Sequence, residues 1–242
     1  MPAILLLLLL SVLVSSCALV GTDEAASDEA PAPEELGDGV REVAERRQAV
    51  DEEVDQALAL LRRADEAVAR ARRAPLVDQG LEEGVEVRAE LADLTPDDLR
   101  AELRELASRI DETRGVVVAL RAAVRDDEVW EHAYLDAQDA VLRTVREHAA
   151  AGDALLQLVD RHRPTYDAAL ERLEAVAQER DELEDEAAAA DEVDDLLADI
   201  REPLGLAQDE LAEFRDRRRA TGRQVNEATA DVATVRDRRA GG

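Results

Sequence analysis

Apolar residues recur along most of the chain at alternating spacings of four and three residues. A seven-residue repeat with two apolar positions is typical of a helix that packs along another helix. The first series predicts a long helix that ends at Pro75, just after a basic run near its C-terminus. Its positions carry Leu, Val or Ala except for Arg47, and they are residues 36, 40, 43, 47, 50, 54, 57, 61, 64, 68 and 71.

A second series follows a helix-start signal. Thr95 stands at the expected N-cap, Pro96 occupies the first helical position, and Asp98 lies three residues after the cap. The repeat changes phase near Asp127, which indicates a local irregularity within one helix that continues to Ala150. The positions before the change are 99, 103, 106, 110, 113, 117, 120 and 124, and those after it are 130, 134, 137, 141 and 145.

Two more helical elements are predicted in the C-terminal half. Gly152 and Pro164 predict breaks, so the third element is expected to run from Tyr166 to Ile200. A turn signal at residues 202–205 separates it from the fourth helix, whose repeat positions are 204, 207, 211, 214, 218, 221, 225, 228, 232 and 235.

Residues 76–94 fit neither pattern well. Gly80 and Gly84 interrupt a helical repeat, and apolar residues alternate briefly from Val85 to Leu91. A short strand therefore competes with a broken helix. We interpret this segment as a connector with helical pieces.

Together the series predict an all-α fold, an elongated antiparallel coiled coil or helical bundle of about four long helices over residues 36–242. The chain has one Trp, two Tyr and one Phe, and so few aromatic residues favour long thin helices over a thick globular core. A heptad seam is satisfied equally by a helix of the same chain or of another copy. A monomeric bundle and a homo-oligomer therefore both remain open.

Charge is distributed unevenly over the last two elements. Residues 178–202 contain twelve acids and two Arg, whereas residues 214–242 contain eight Arg and four acids. This contrast predicts an antiparallel hairpin about Pro203 with the acidic helix beside the basic one. The alternative is two solvated faces that never pair specifically.

The N-terminus has the pattern of an export signal. Residues 2–20 are largely apolar, and no charged side chain precedes Asp23. The apolar run ends in Val14-Ser15-Ser16-Cys17, which resembles the lipobox of bacterial lipoproteins. The resemblance implies that residues 1–16 are a signal peptide, that Cys17 receives a diacylglyceryl group, and that its free amine is then acylated. The alternative is an uncleaved membrane anchor over residues 4–20.

Both readings place the rest of the chain outside the cytoplasm, at the cell membrane. Residues 17–35 follow as the lipidated cysteine and an acidic segment that contains two prolines and no basic residue. Such a composition predicts a disordered tether.

The chemistry-bearing residues point to no enzyme. The chain has 58 acidic and 30 basic side chains and a formal net charge of −28, which argues against a nucleic-acid partner. No phosphate-binding loop, nucleophile elbow or paired-cysteine zinc site is present in the sequence. We therefore assign no catalytic residue, no cofactor and no metal ligand.

Several residues still have alternative interpretations. One helical face carries Glu128, His132, Asp136 and Asp139. This face is either a divalent-ion site or, as we favour, a solvated stripe. We interpret the pair Trp130 and Tyr134 either as an aromatic plug in the core or as a partner-docking patch. The remaining residues are His148 and His162, expected at the surface, and the seam arginines Arg47 and Arg218, expected to snorkel to solvent rather than to be buried in ion pairs.

These observations predict a membrane-anchored extracytoplasmic lipoprotein. Its expected role is a structural spacer, scaffold or adaptor for an envelope partner, bound through its helical seams. The alternative function is an acidic binding lipoprotein that captures a divalent cation or a basic ligand.

Overall fold

A computed structural model describes the backbone over residues 33–241 and the side chains over residues 34–238. The described residues form an all-α fold without a strand, as the repeats predict. The predicted signal peptide, Cys17 and most of the predicted tether lie outside the described residues. The helices are α1 (Pro33–Ala71), α2 (Val77–Asp93), α3 (Pro96–Ala123), α4 (Val129–Glu179), α5 (Glu186–Leu196) and α6 (Arg201–Gly241).

The helices form an up-down-up-down bundle. Helices α2 and α3 together return along α1, since Arg63 pairs with Glu83 near one end and Arg109 pairs with Glu42 near the other. Helix α4 runs back beside them, and α6 returns along α4. Four helices are long, and the 51 residues of α4 extend about 76 Å at about 1.5 Å per residue.

The bundle has two distinct ends. The turn of residues 124–128 joins α3 to α4 at the end that we call the turn end. The opposite end, which we call the α5 end, carries α5 and two short 3-10 helices, Ala74–Leu76 and Arg180–Glu182. Asp185 is the N-cap of α5, and its side chain accepts hydrogen bonds from the backbone N–H groups of Ala187 and Ala188, both at 2.9 Å.

The heptad seams are confirmed as the core. In α1 the apolar seam residues are buried from Leu36 to Ala71, with Val40 partly buried. In α3 the seam is buried from Leu99 to Leu120. The amphipathic pattern therefore selects the faces that pack, because only these faces offer a continuous apolar surface.

One unbroken helix, α2, covers nearly all of residues 76–94, so the predicted broken connector and its strand alternative are wrong. A Cβ added to Gly80 would lie 2.2 Å from the backbone nitrogen of Ala71, and one added to Gly84 would lie 2.9 Å from Leu173 Cδ1. The two glycines therefore allow α2 to approach α1 and α4 closely. The stabilisation from this close packing compensates for the low helix propensity of glycine.

The predicted continuous helix from 95 to 150 is also wrong. Its phase change is the turn between α3 and α4, where the backbone N–H of Arg125 donates to Glu128 Oε2 at 3.1 Å. A phase change and a tight turn produce the same shift in the apolar pattern, so the repeat alone does not distinguish them.

The predicted breaks at Gly152 and Pro164 do not occur, because both residues lie inside α4. Gly152 is buried, and a Cβ there would lie 3.4 Å from Leu103 Cδ1 on α3. Pro164 faces solvent, and buried residues flank it on the packed side of the helix. Tertiary packing of this face outweighs the lost backbone hydrogen bond.

The predicted third element is divided, and its charge pairing with the fourth is wrong. The first part of this element is the end of α4, which stops at Glu179, and the last part is the short helix α5. Helix α6 packs along α4 instead. In the acidic segment, Asp194 pairs with Arg72, just after α1, and with Arg201, the first residue of α6, whereas Asp199 pairs with Arg172 of α4. Seam packing therefore decides the neighbour of α6.

Candidate functional site

A polar layer interrupts the apolar interior between α1, α4 and α6. At its centre, Asp51 Oδ1 lies 3.1 Å from His148 Nε2 and accepts a hydrogen bond from Arg218 Nη2 at 2.8 Å. His148 Nδ1 lies 2.8 Å from Thr221 Oγ1. Arg218 also lies 3.1 Å from Asp55 Oδ1. One carboxylate thus connects side chains from three helices.

The environment of Asp51 favours its charged form. Burial by itself raises the pKa of this carboxyl, because a low dielectric disfavours the ion. The hydrogen bond and charge of His148, and those of Arg218, outweigh burial, so the pKa of Asp51 is lowered overall. Arg47 adds a second guanidinium group, with Nε at 3.5 Å from Asp51 Oδ2.

These positions correct two expectations. His148 and His162 are buried and not at the surface, and Arg218 is 5% exposed and paired rather than snorkelling to solvent. Arg47 is less buried and pairs with Asp51. The histidines fall on the heptad seam when it is continued across Gly152 and Pro164, so the predicted breaks concealed them. The continued seam is 141, 145, 148, 152, 155, 159, 162, 166, 169, 173 and 176.

Two further polar contacts extend the layer toward the α5 end. His162 Nε2 lies 2.8 Å from Glu210 Oε2, and Gln208 donates to Asp65 Oδ1 at 2.8 Å. The fully buried Tyr166 hydroxyl lies beside Asp65 without forming a hydrogen bond in proper geometry. Burial raises the pKa of Asp65, and burial and the nearby Asp65 charge raise the pKa of Tyr166.

A cleft of about 390 Å³ opens along this layer between α1 and α6. The two helices approach α4 rather than each other, so side chains and not close backbones span the gap. The cleft has an apolar floor that includes Leu61 and Leu211, and charged groups on both walls. Its charged lining consists of Asp51, Asp55, Asp65, Arg62, Arg215, Arg218 and Arg219.

A second groove lies between α1 and the junction of α2 with α3. It measures about 660 Å³, and its charged lining is entirely acidic: Glu52, Glu53, Glu90 and Asp93. One of the four acids, Glu90, is paired with Arg63 at 2.8 Å.

The candidate ion-binding face does not converge on one point. Glu128 pairs with Arg125, Asp136 with Arg121, and Asp139 with Arg114 and Arg143. His132 Nε2 lies 3.2 Å from the backbone oxygen of Arg125. Over residues 34–238, no group of three or more His, Cys, Asp or Glu side chains is arranged to hold a metal ion.

The aromatic pair is split between interior and surface. Tyr134 packs against the core, and its hydroxyl accepts a hydrogen bond from Gln138 at 2.9 Å. Trp130 is 44% exposed and its neighbour Val129 is 66% exposed. The aromatic-plug prediction therefore fails for Trp130, which lies in the first turn of α4 at the turn end.

Comparisons with known proteins add no relative. No protein-family model matches the chain, and searches of curated proteins and of solved structures find no significant match. The fold and the surfaces described above therefore define the class of protein, a polar-layered four-helix bundle with an exposed aromatic end.

Proposed function

We propose that this protein is an extracytoplasmic lipoprotein that acts as a spacer or adaptor in the cell envelope. The lipid on Cys17 holds the chain to the membrane, and the bundle carries a partner-binding surface away from it. The observation that supports this proposal is the position of the start of α1 and the exposed Trp130 at one end of a long bundle. Along the described helices, none is long and apolar enough to span a membrane.

The position of the first helix follows from its contacts. A Cβ added to Gly39 would lie 2.9 Å from Thr113 Oγ1, and α3 ends only ten residues after Thr113, at Ala123. Pro33 therefore lies near the turn end. Pro33 follows Cys17 by only 16 residues, and a chain of that length reaches at most about 56 Å, which is less than the length of the bundle. This tether keeps the turn end near the lipid.

The turn end has the surface that suits a lipid interface. Tryptophan with an adjacent aliphatic residue is favoured at the boundary between headgroups and acyl chains. Val118 adds a third apolar side chain near this end, at 64% exposed. With the turn end toward the lipid, the long axis of the bundle stands upright on the membrane. In this orientation the α5 end faces a partner about 75 Å from the lipid.

The anchor is tested by intact mass and membrane partition of the native protein beside a Cys17→Ser variant. We expect a native mass that lacks residues 1–16 and includes acyl chains, and an unprocessed variant. Membrane partition with an unmodified full-length mass would favour an anchor over residues 4–20. An unmodified chain that does not partition would remove the lipoprotein proposal.

The orientation is tested by fluorescence, because Trp130 is the single tryptophan. The lipidated chain is reconstituted in phosphatidylcholine vesicles with brominated acyl chains, which quench nearby tryptophan. We expect quenching of Trp130. The matched control moves the tryptophan to the first turns of α6, near the α5 end, with Leu206→Trp in a Trp130→Phe background, since Leu206 is likewise exposed. Quenching of both positions, or of neither, would contradict the upright orientation.

A partner is expected at the α5 end, because the seams are buried inside the bundle. Crosslinking in intact cells tests this part of the proposal, with the lipidated chain as bait. Recovery of monomer alone, under conditions that capture known envelope complexes, would contradict an adaptor role.

The acidic groove supports the second candidate function, capture of a divalent cation or a basic ligand. Its lining of four acids without a basic side chain is the observation that favours it. Calorimetric titration with Ca²⁺, Mg²⁺ and spermidine is the direct test. Heat that disappears in a Glu53→Gln and Asp93→Asn double variant would support the groove, and absence of heat would remove this candidate.

A further inference from the structure

Four arginines line the cleft between α1 and α6, and only Arg218 pairs with carboxylates of the cleft. Arg218 bonds to Asp51 and lies beside Asp55, and Asp51 also contacts His148. Asp65 accepts from Gln208 instead of from a basic group. The acids of the cleft are thus occupied without any contribution from the other three arginines.

Arg215 is the least satisfied of these arginines. It is partly buried, and its Nε is shielded from solvent without a hydrogen-bond acceptor. Among the arginines whose side chains are described, it is the one partly buried residue with neither an ion pair nor a side-chain hydrogen bond. This is unusual in a chain with 58 acids, because acidic partners are plentiful. A guanidinium in this position lacks the oxygen acceptors that its fixed donors require.

Two more guanidinium groups face the same space with weak partners. Arg62 on α1 lies 3.6 Å from Glu66, and Arg219 on α6 lies 3.6 Å from Asp216. Both pairs are within one helix and largely exposed, so they contribute little and exchange readily. Arg215 and Arg219 are one turn apart on α6. Guanidinium groups therefore line both walls of the cleft.

The floor supplies the apolar complement. Leu58, Leu61, Leu211 and Ala212 line the cleft beneath the charged rim. A volume of about 390 Å³ lies at the lower end of the range for small-molecule sites, about 300 to 1,000 Å³. We propose that the cleft binds a small organic anion, with a carboxylate or phosphate group held by Arg215 and its neighbours and a short apolar body on the leucine floor. Guanidinium forks match both anionic groups in bidentate geometry.

The proposal does not depend on the lipoprotein function, and it is tested by calorimetric titration of the full chain with hexyl phosphate. We expect saturable binding, at least tenfold weaker for inorganic phosphate because the apolar floor then makes no contact. Arg215→Gln is expected to weaken hexyl phosphate binding by at least tenfold. The matched control is Arg223→Gln, since Arg223 is an exposed arginine of the same helix that does not line the cleft.

Three outcomes would overturn the proposal. Hexylammonium binding as tightly as hexyl phosphate would show that the carboxylates, not the arginines, select the ligand. Equal effects of Arg215→Gln and Arg223→Gln would indicate general charge attraction, with an adventitious ion only. No binding of hexyl phosphate or hexanoate up to millimolar concentration would remove the site. Thermal unfolding of both variants checks that each remains folded.

Discussion

Helix α1 meets α2 and α6 in opposite ways, by close packing on one side and across a cleft on the other. Toward α2 it presents Ala67 and Ala71, and Gly80 approaches so closely that an added Cβ would overlap the α1 backbone. Toward α6 it presents aspartates, and the gap is bridged by pairs such as Arg218 with Asp51. Small residues bring helices together, whereas long charged side chains hold them apart and leave a cleft.

The contrast separates stability from recognition. A close-packed interface with no room for solvent contributes packing energy but no surface for a ligand. An interface bridged by buried ion pairs contributes less stability, because desolvation offsets much of the attraction. The α1–α6 side therefore exposes the charged side chains that line the cleft. Substitutions on the α1–α2 side are expected to cost the most stability.

The largest effect is expected at the close-packed side. Gly80→Ala places a methyl group 2.2 Å from Ala71 N, so α1 and α2 must separate, and we expect a loss of about 3 kcal/mol in the free energy of unfolding. Chemical denaturation measures it. The matched control is Gly115→Ala, because nothing lies within 4 Å of an added Cβ there, and a gain of about 0.5 kcal/mol is expected from helix propensity. Equal effects of the two substitutions would contradict the close approach.

An intermediate effect is expected at the bridged side. Asp51→Asn leaves His148, Arg47 and Arg218 without their shared anion, and we expect a loss of about 2 kcal/mol at pH 7. Denaturant titrations at a series of pH values measure it. Asp38→Asn serves as the control, since Asp38 forms only an exposed pair with Arg41 and should cost little.

The pH dependence of this loss has a definite sign. The pKa of Asp51 is lower in the folded chain than its ordinary value, so its contribution is present above about pH 3.9. It is lost as the pH falls through the lower folded value. The difference between the wild type and Asp51→Asn should therefore narrow in strong acid, and a difference that widens there would contradict the ion cluster.

The smallest effect has the opposite sign. Burial raises the pKa of Asp65, so its ionised form destabilises the fold at neutral pH. Asp65→Asn keeps an acceptor for Gln208 and removes the charge, and we expect a gain of up to about 1 kcal/mol at pH 7. This gain should fade as the pH drops through the raised folded pKa, where Asp65 itself becomes neutral. Thermal unfolding at pH 7 and pH 4 measures both, and a loss of stability at pH 7 would contradict the interpretation.

Sequence patterning predicted the packed faces well because burial follows apolar periodicity directly. The α1 seam is an example, with Arg47 as its single charged position. Helix ends were predicted less well. Pro164 and Gly152 are strong local breakers, yet the α4 seam continues through both, because tertiary contacts along one face outweigh local propensity. Local signals alone carry no measure of that packing energy.

The polar layer was largely missed for a related reason. Dividing the helix at Gly152 and Pro164 places His148 and His162 at the surface, although they occupy seam positions of the undivided helix. Their partners, Asp51 and Glu210, come from helices about fifty or more residues away. Spacing within one helix cannot identify partners on another. Trp130 is a different case. Its exposure follows from the turn between α3 and α4, which appears in the apolar repeat only as a change of phase.

The up-down-up-down path also determines how the bundle responds to force. Helix α1 begins and α6 finishes at the same end, the turn end. Tension between an anchor joined to α1 and a partner held at the α5 end loads the helices in shear, so many seam contacts must break together. Tension between the start of α1 and the end of α6 instead peels α6 from α4 one turn at a time. A bundle of this topology therefore resists force along its long axis well, and it resists force that separates α1 from α6 at the turn end poorly.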